Sequence, residues 1–278
     1  MVIIKRKLWG IAPYTTAFFP TESTLDEIIA ELRPFEMARL FWTPVGRQPG
    51  MNVIACESSS ASCLDLSKST DSLWKGMRRN CRYDLNRAEK LASDVRIERN
   101  GTQTKTDFLE VFNGFARVKD HVSPITSRIL DNYAQHSDLF VIYLDGRPMC
   151  AHAVLRDQES SRARLLYSAN RRLEDSEAAS RCSALNRYLH WREIQTYRDE
   201  GFGIFDFGGI RSDAQDGISR FKISFGGAII NEFSYLCAGS PWMGRVAEKV
   251  RARLRSSAGA GPRPTPDPEL GDDYRATS

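Results

Sequence analysis

FDFGGI at residues 205–210, followed by GISRFKISFGG at residues 217–227, is the stretch that decides the fold of this chain. Ile204–Phe207 is apolar except for Asp206, and such a short apolar run predicts a strand that is buried on both faces. Gly217–Phe225 predicts a short helix that ends at a pair of glycines. A buried strand followed by a short helix indicates an α/β domain.

The segments on either side extend this pattern. Alternating apolar residues predict strands at Val95–Arg99, Leu139–Leu144, Met149–Leu155, Arg162–Ala169 and Ala228–Cys237. Apolar residues at helical spacing predict helices at Lys105–Ala116, Thr126–Ala134 and Ala178–Asp199. In chain order these elements predict an α/β fold with a mixed, mostly antiparallel sheet that is flanked by helices.

Residues 71–93 predict one long helix with a basic face. Leu73, Met77, Cys81 and Leu85 recur at four-residue intervals and form one apolar stripe. The other face carries five basic residues, which are Lys75, Arg78, Arg79, Arg82 and Arg87. Such a face suits a partner that carries phosphates, although most charged helix faces are simply solvated and two acids offset part of this charge.

The N-terminal residues 1–70 predict a smaller α/β segment. It consists of a strand at Ile3–Ile11, a helix at Thr24–Leu32 with Ser23 or Thr24 as its N-cap, and strands at Glu36–Thr43 and Asn52–Ala55. We therefore divide the chain into this segment, a main domain at residues 71–240, and a C-terminal segment at residues 241–278. In the last segment, residues 245–255 predict a basic helix end and Ser256–Ser278 predicts a disordered tail.

Composition narrows the class of protein. The 278 residues carry a formal net charge of +4, a mild excess of base that does not by itself identify a nucleic-acid binder. The six cysteines form no Cys-x-x-Cys pair, so neither a zinc knuckle nor a redox pair is predicted. We find no signal peptide and no apolar stretch of the roughly 20 residues that a membrane span needs. We therefore expect reduced thiols and a cytoplasmic protein.

Two motifs together indicate a family. LWKGMRRNCRYDLNRAEK at residues 73–90 precedes the first strand of the main domain, and FDFGGI with FKISFGG lies near its end. This combination resembles the second GNAT half of the Fem aminoacyltransferases and their relatives over about 170 residues. The resemblance implies a GNAT-like fold and transfer of an aminoacyl group from aminoacyl-tRNA to an amine of a peptidoglycan precursor. Fem enzymes carry two complete GNAT-like halves, whereas residues 1–70 resemble only the later part of the first, so we expect a truncated N-terminal half.

The resemblance also implies which residues carry the chemistry. Lys222 matches a lysine that stabilises developing negative charge or a phosphate, and Arg220 lies beside it on the predicted helix. Either could instead be a solvated charge. Asp206 lies in an apolar run, where a carboxylate needs a partner, and it is a candidate to hold Lys222, cap a turn or act as a base. Three glycines are predicted to admit a substrate close to the backbone: Gly208, Gly209 and Gly226.

Further candidates lie on the predicted strands and on the basic helix. Tyr167 ends the central strand, where a tyrosine can act as a general acid, and Ser168 follows it. His152 lies between two alanines and is either a core histidine or a base. Phe225 is either a core residue or part of the substrate site. Two residues of the basic face are assigned to substrate binding, Arg79 and Arg82. No metal ligands are predicted.

The donor is inferred from the absence of a motif. GNAT acetyltransferases hold the coenzyme A pyrophosphate on a glycine-containing loop at a helix N-terminus, but this chain has no glycine between Gly146 and Gly201. Acids in the equivalent loop would repel a pyrophosphate, although Arg171 and Arg172 remain able to hold a phosphate with their side chains. We therefore predict aminoacyl-tRNA as the donor and no permanently bound cofactor.

Two alternatives stay open. One is an acyl-CoA-dependent N-acyltransferase that acts on an amino sugar of a cell-surface polysaccharide, and the other is a non-catalytic GNAT-like domain that binds nucleic acid or a partner protein. In the leading prediction the amine belongs to a peptidoglycan precursor, a peptide or a small molecule, either lipid-linked or nucleotide-linked. A lipid-linked acceptor would bring residues 245–255 to the inner face of the membrane as a peripheral contact.

Overall fold

The computed structural model describes residues 1–8, 12–48, 50, 52–91, 94–119, 122–173, 179–211, 216–240 and 242–245. The chain forms two compact units. We call Met1–Ser60 with Asn231–Ser278 the terminal unit, and Ala61–Ile230 the central unit. The sequence-based division at residues 70 and 240 stays a prediction.

The secondary structure of the described residues is as follows. The strands are β1 Val2–Leu8, β2 Ala12–Phe18, β3 Met37–Thr43, β4 Val53–Asp65, β5 Val95–Arg99, β6 Ser137–Leu144, β7 Arg147–Asp157, β8 Arg162–Asn170, β9 Ile204–Ile210 and β10 Ala228–Ala238. The helices are α1 Glu22–Glu31, α2 Thr70–Gly76, α3 Arg79–Glu89, α4 Thr104–Val118, α5 Ser127–Tyr133, α6 Ala179–Asp199 and α7 Gly217–Ile223, with a short 3-10 helix at Arg171–Leu173.

The terminal unit is a small sheet covered by α1. Its strands lie in the order β1-β2-β3-β10-β4. β1 pairs antiparallel with β2, β2 runs parallel to β3, and β3 pairs antiparallel with β10. Helix α1 buries Leu25 in a core that also contains Ala17, Leu40 and Tyr235.

Two strand predictions for residues 1–70 need correction. The strand predicted at Ile3–Ile11 ends at Leu8, residues 9–11 lie outside the described part, and β2, which follows, is missing from the prediction. The strand predicted at Asn52–Ala55 instead continues to Asp65 as β4. Its serine-rich second half has little apolar alternation, but backbone pairing in a sheet does not require it.

Helix α1 also begins earlier than the sequence predicts. Its N-cap is Thr21 rather than Ser23 or Thr24, because the Oγ1 atom of Thr21 accepts a hydrogen bond from the backbone N–H of Thr24 at 3.3 Å. This contact satisfies one of the amide groups that the first turn of a helix leaves without an intrahelical partner.

The central unit is a larger sheet that is flanked by helices. Its strands lie in the order β4-β9-β8-β7-β6-β5, with β5 to β8 antiparallel and β8 parallel to β9. Helix α6 packs Leu185 and Leu189 into a core with Val154 of β7. On the opposite face, Phe112 of α4 packs edge-on against Tyr167 at 5.3 Å. The predicted mixed, mostly antiparallel sheet flanked by helices is confirmed, and the elements predicted from Val95 onward match within three residues.

The helix predicted at residues 71–93 is two helices. α2 ends at Gly76 and α3 begins at Arg79, because Met77 and Arg78 are extended, with ψ angles of 148° and 152°. The N–H of Arg78 donates to the carbonyl oxygen of Ser224 at 2.9 Å instead of continuing a helix. The predicted apolar stripe is nevertheless correct, since all four of its residues are buried: Leu73, Met77, Cys81 and Leu85.

Most of the predicted C-terminal segment cannot be compared with the structure. The predicted tail and all but the first residue of the basic segment at residues 245–255 fall outside the described residues. The six cysteines all lie within the described part, and none of them forms a disulfide bond there. Among the described helices, none combines the length and the apolar character that crossing a membrane requires.

Candidate active site

The candidate active site is an opening between two parallel strands. β8 and β9 pair only at Arg162–Ile204, Ala163–Phe205 and Arg164–Asp206. β8 then continues to Asn170 and stays paired with β7, while β9 continues to Ile210. We call the space between them the splay. Its β8 edge presents backbone groups that a ligand can hydrogen-bond in the manner of an added strand.

A β-bulge shapes the β8 side of the splay. Ala153 pairs with Tyr167 whereas Val154 pairs with Leu165, so Leu166 is an additional residue in β8. A bulge bends its strand and increases the local twist. The bulge lies just beyond Arg164, the last residue of β8 that pairs with β9. Tyr167 and Ser168, two predicted site residues, lie on this half and point to opposite faces of the sheet.

Gly208 and Lys222 lie on the β9 side of the splay. Gly208 has a φ of +75°, and a Cβ atom there would lie 3.3 Å from the carbonyl oxygen of Leu165. The Nζ atom of Lys222 donates to the carbonyl oxygen of Gly209 at 2.7 Å. It lies 3.7 Å from the position of that Gly208 Cβ. The structure thus brings together three residues that the sequence assigned to one site.

Asp206 anchors the closed end of the splay. Its Oδ2 atom accepts from Arg162 Nε at 3.0 Å and from Arg164 Nη1 at 2.6 Å, and its Oδ1 atom accepts from the N–H of Gly208 at 2.7 Å. Burial by itself raises the pKa of Asp206, but the charges of Arg164 and Arg162 and the Gly208 hydrogen bond bring it below its ordinary value. Asp206 is therefore ionised, and both of its oxygens already accept hydrogen bonds. This arrangement favours the turn-capping role of Asp206 over a role as a base.

A buried polar cluster lies in the α6 side of the core. The Nδ1 atoms of His152 and His190 lie 2.7 and 3.0 Å from the two oxygens of Glu193. The Nε2 atom of His152 lies 3.0 Å from the side-chain oxygen of Asn186, and the two imidazoles stack at 4.0 Å. Rings of Phe207, Phe221 and Phe225 surround His190. His152 is therefore a core histidine in a hydrogen-bond network, which is one of its two predicted roles.

The protonation of this cluster follows from its surroundings. Burial, followed by the charge of the stacked His152, lowers the pKa of His190 to about 4. Burial raises the pKa of Glu193, but the two histidines more than offset this, so its pKa lies below the ordinary value. Glu193 is thus ionised, and a neutral His190 carries its proton on Nδ1.

Three residues of this cluster are of metal-ligating types: His152, His190 and Glu193. The two imidazoles stack with an interplanar angle of 21°, so their in-plane nitrogen lone pairs run side by side and do not converge on one point. Both carboxylate oxygens are already hydrogen-bonded. The donor set therefore fits a hydrogen-bond network better than a metal ion.

Arg187 joins three helices beneath the site and was not predicted from the sequence. Its Nε atom donates to Asp84 of α3 at 2.9 Å, and its Nη1 atom donates to the hydroxyl of Ser224 after α7 at 2.6 Å. Its guanidinium lies 4.5 Å from the ring centroid of Phe221. A signal was present in the sequence, because Arg187 lies between Ala184 and Trp191 on a helical stripe that is otherwise apolar.

Arg79 and Arg82, the two basic residues assigned to substrate binding, have different surroundings. Arg82 donates through Nη1 to the carbonyl oxygens of Trp74, Lys75 and Met77, at 3.5, 3.2 and 2.5 Å, so it caps the C-terminal end of α2. Arg79 is exposed in the first turn of α3. The predicted substrate contact therefore fits the geometry of Arg79 better than that of Arg82.

The remaining predicted residues lie around α7. Arg220 is exposed. Phe225 is fully buried and packs on Phe207 at 4.8 Å, which favours its core role. The close backbone approach predicted for Gly226 is made to α2, because a Cβ atom there would lie 2.5 Å from the carbonyl oxygen of Gly76.

Comparison with known proteins supports the family and the fold. A family model described as an acetyltransferase (GNAT) domain matches residues 75–222, which is more than half of the chain. Among solved structures, FemX is similar with a TM-score of 0.62 and 12% identity over 88% of this chain and 86% of that one. No curated protein matches the sequence.

Two further structures are similar. The C-terminal domain of a putative lysylphosphatidylglycerol synthetase from Agrobacterium fabrum has a TM-score of 0.54 and 13% identity, over 91% of this chain and 84% of that one. L-PGS from Bacillus licheniformis has a TM-score of 0.50 and 10% identity, over 92% and 86%. At these identities the likeness shows the fold alone. The family match and the shared fold together establish that the chain belongs to the acetyltransferase (GNAT) domain family and is an acyltransferase that resembles the Fem-like branch.

Proposed function

We propose that this acyltransferase moves an aminoacyl group from aminoacyl-tRNA to an amine and forms an amide. The observation that carries the proposal is the splay, with Lys222 beside Gly208 and Gly209 at its edge. A cation held against a strand opening in a GNAT fold suits the oxygen on which negative charge develops during acyl transfer. Burial of this lysine, which is 9% exposed, strengthens that interaction.

The reaction needs no covalent enzyme intermediate. The neutral amine nitrogen attacks the ester carbonyl carbon of the donor, and a C–N bond forms while the carbonyl oxygen becomes an oxyanion. The C–O bond to the terminal ribose then breaks, and the proton lost by the amine ends on the ribose oxygen. Lys222 stabilises the oxyanion, and Tyr167, on the β8 side of the splay, is the proposed acid for the leaving oxygen.

The loop before α6 supports the choice of donor. With no glycine between Gly146 and Gly201, the chain has no residue there that admits a backbone cradle for the coenzyme A pyrophosphate. The names FemX and lysylphosphatidylglycerol synthetase belong to proteins with a similar fold, and the second names an amino acid and a phospholipid. Both points favour an aminoacyl donor, and the second keeps a lipid-linked acceptor beside a nucleotide-linked one.

A donor comparison by thermal shift tests the proposal. A ligand that binds only the folded state raises the melting temperature. We expect charged tRNA to stabilise the protein, and we expect radiolabelled aminoacyl groups to pass from a charged tRNA pool to an amine acceptor. Stabilisation by acyl-CoA, with none by charged tRNA, would overturn the choice of donor.

The open β8 edge also favours a second candidate, an acyl-CoA-dependent N-acyltransferase. The amides of a pantetheine arm can pair with the backbone of Leu165–Asn170 as an additional strand would. This candidate predicts stabilisation by longer acyl-CoAs and acylation of an amino sugar. Because it uses the same splay, Lys222→Ala is expected to impair transfer under either donor.

A further inference from the structure

One exposed face of α3 combines an aromatic ring with basic side chains. Arg79, Tyr83 and Arg87 recur at four-residue intervals and therefore lie along one side of the helix. Tyr83 is 63% exposed, which is unusual for a large aromatic residue, and the Arg87 guanidinium lies 5.9 Å from its ring centroid. We call these three residues the α3 face.

The α3 face extends between two parts of the candidate site. At its first turn, the N–H of Arg78 donates to the carbonyl oxygen of Ser224, two residues after Lys222. At its last turn, Arg87 donates to the hydroxyl of Ser180 at 2.9 Å, in the first turn of α6. α6 begins shortly after the open end of β8. A donor whose acyl group enters the splay would thus bring its carrier past the α3 face.

Among the described residues, the acid that pairs with the α3 face is shared with a second arginine. Asp84 lies 3.9 Å from Arg87, but its other oxygen is held at 2.9 Å by Arg187 from α6. Arg79 is exposed. An exposed ring flanked by cations is the arrangement that proteins use to stack a base and neutralise the phosphates beside it.

We propose that the α3 face binds the phosphorylated adenosine at the end of the donor carrier, with adenine stacked on Tyr83 and phosphates at Arg79 and Arg87. Both carriers considered above end in this chemistry, the 3′ adenosine of tRNA and the adenosine nucleotide of coenzyme A. The two arginines lie eight residues apart, about 12 Å along the helix axis, so they suit two separate phosphate groups better than one. The identity of the carrier as RNA rests on the proposed function, whereas the face itself does not.

Equilibrium binding tests the α3 face. The probes are a fluorescent single-stranded RNA ending in CCA and, separately, coenzyme A, each titrated with the full chain at two salt concentrations. We expect Tyr83→Ala to weaken RNA binding about tenfold, and Tyr83→Phe to retain it. We expect removal of Arg79 and Arg87 together to lower the salt dependence, by about 0.7 in slope for each phosphate that the variant no longer neutralises.

The control is Arg128→Ala, which removes an exposed arginine from α5 and is expected to leave binding unchanged. Thermal melts of each variant confirm that folding is intact. RNA binding that is equal in the wild type and all α3 variants would overturn the α3 face and leave the donor standing. Coenzyme A binding that depends on Tyr83, with no RNA binding, would support the face and overturn the donor. Failure of the wild type to bind either probe would overturn the face.

Discussion

Lys222 Nζ donates a 2.7 Å hydrogen bond to the backbone carbonyl oxygen of Gly209. This bond holds the ammonium group of Lys222, which lies on α7, against the end of β9. This contact connects two segments that are 13 residues apart in sequence. It also uses one of the three donors of the ammonium group. A lysine held in this way is pre-positioned, so it loses little conformational freedom when charge develops on a bound substrate.

Lys222→Ala is therefore expected to lower the rate of acyl transfer about a hundredfold or more, because loss of one pre-positioned donor to an oxyanion has effects of that size. Single-turnover transfer from the donor found by thermal shift measures it. The matched control is Lys105→Ala, which removes a lysine of α4 that pairs with Asp131 at 2.5 Å. A Lys222→Ala rate equal to that of the control would remove Lys222 from the mechanism.

Gly226→Ala is expected to destabilise the fold by about 2 kcal/mol or more. Gly226 has a φ of +87°, which L-residues other than glycine adopt at a cost, and a Cβ atom would lie 2.5 Å from the carbonyl oxygen of Gly76. Urea unfolding measures the change. In Gly217→Ala, a Cβ atom would have nothing within 4 Å, so this variant is expected to be neutral. Equal stability of the two variants would contradict the packing role.

Much of the central unit could be predicted because its signals are local. Alternating and helical spacing place β5 to β9 and α4 to α7, since both periodicities are contained in short windows of sequence. The break between α2 and α3 could not be predicted in this way, because the apolar stripe continues through Met77. The break coincides instead with a contact that is distant in sequence, in which the N–H of Arg78 donates to the carbonyl oxygen of Ser224.

The same distinction between local and distant signals applies to the candidate active site. The motif predicted Lys222, Gly208 and Gly209, and the structure places them together. Partners distant in sequence were missed: Arg164 is 42 residues from Asp206, and Glu193 is 41 residues from His152. Such pairs form only when the sheet brings their strands and helices together, so no short window of sequence contains them.

The buried His190 predicts a dependence of stability on pH. Its pKa is about 4 in the folded protein, against an ordinary value of 6.5. Above pH 6.5 the group is neutral in both states and contributes no pH dependence. As the pH falls from 6.5 to 4, only the unfolded state gains the proton, so the free energy of unfolding falls by up to about 3 kcal/mol. Urea unfolding at several pH values measures this loss.

The variant His190→Gln isolates this effect, because it removes the titrating ring. We expect its stability to be lower at neutral pH but flatter between pH 6.5 and 4.5. The carboxylates with lowered pKa values, Asp206 and Glu193, also lose stability in acid, but only as the pH falls below their ordinary values of 3.8 and 4.5. Equal slopes for the variant and the wild type above pH 4.5 would rule out His190 as the source.

Arg187→Ala is expected to destabilise the protein by about 2 kcal/mol. The substitution removes the partner of Asp84 and the donor to Ser224, and it leaves a space beneath Phe221. Asp84 is 23% exposed, so water compensates part of the loss.

Because Ser224 follows Lys222 closely, the rate of transfer is expected to fall as well. Urea unfolding and the transfer assay measure the two effects, and Arg192→Ala, an exposed arginine of the same helix, is the control. If both variants change stability by less than about 0.5 kcal/mol, Arg187 does not join these helices in solution.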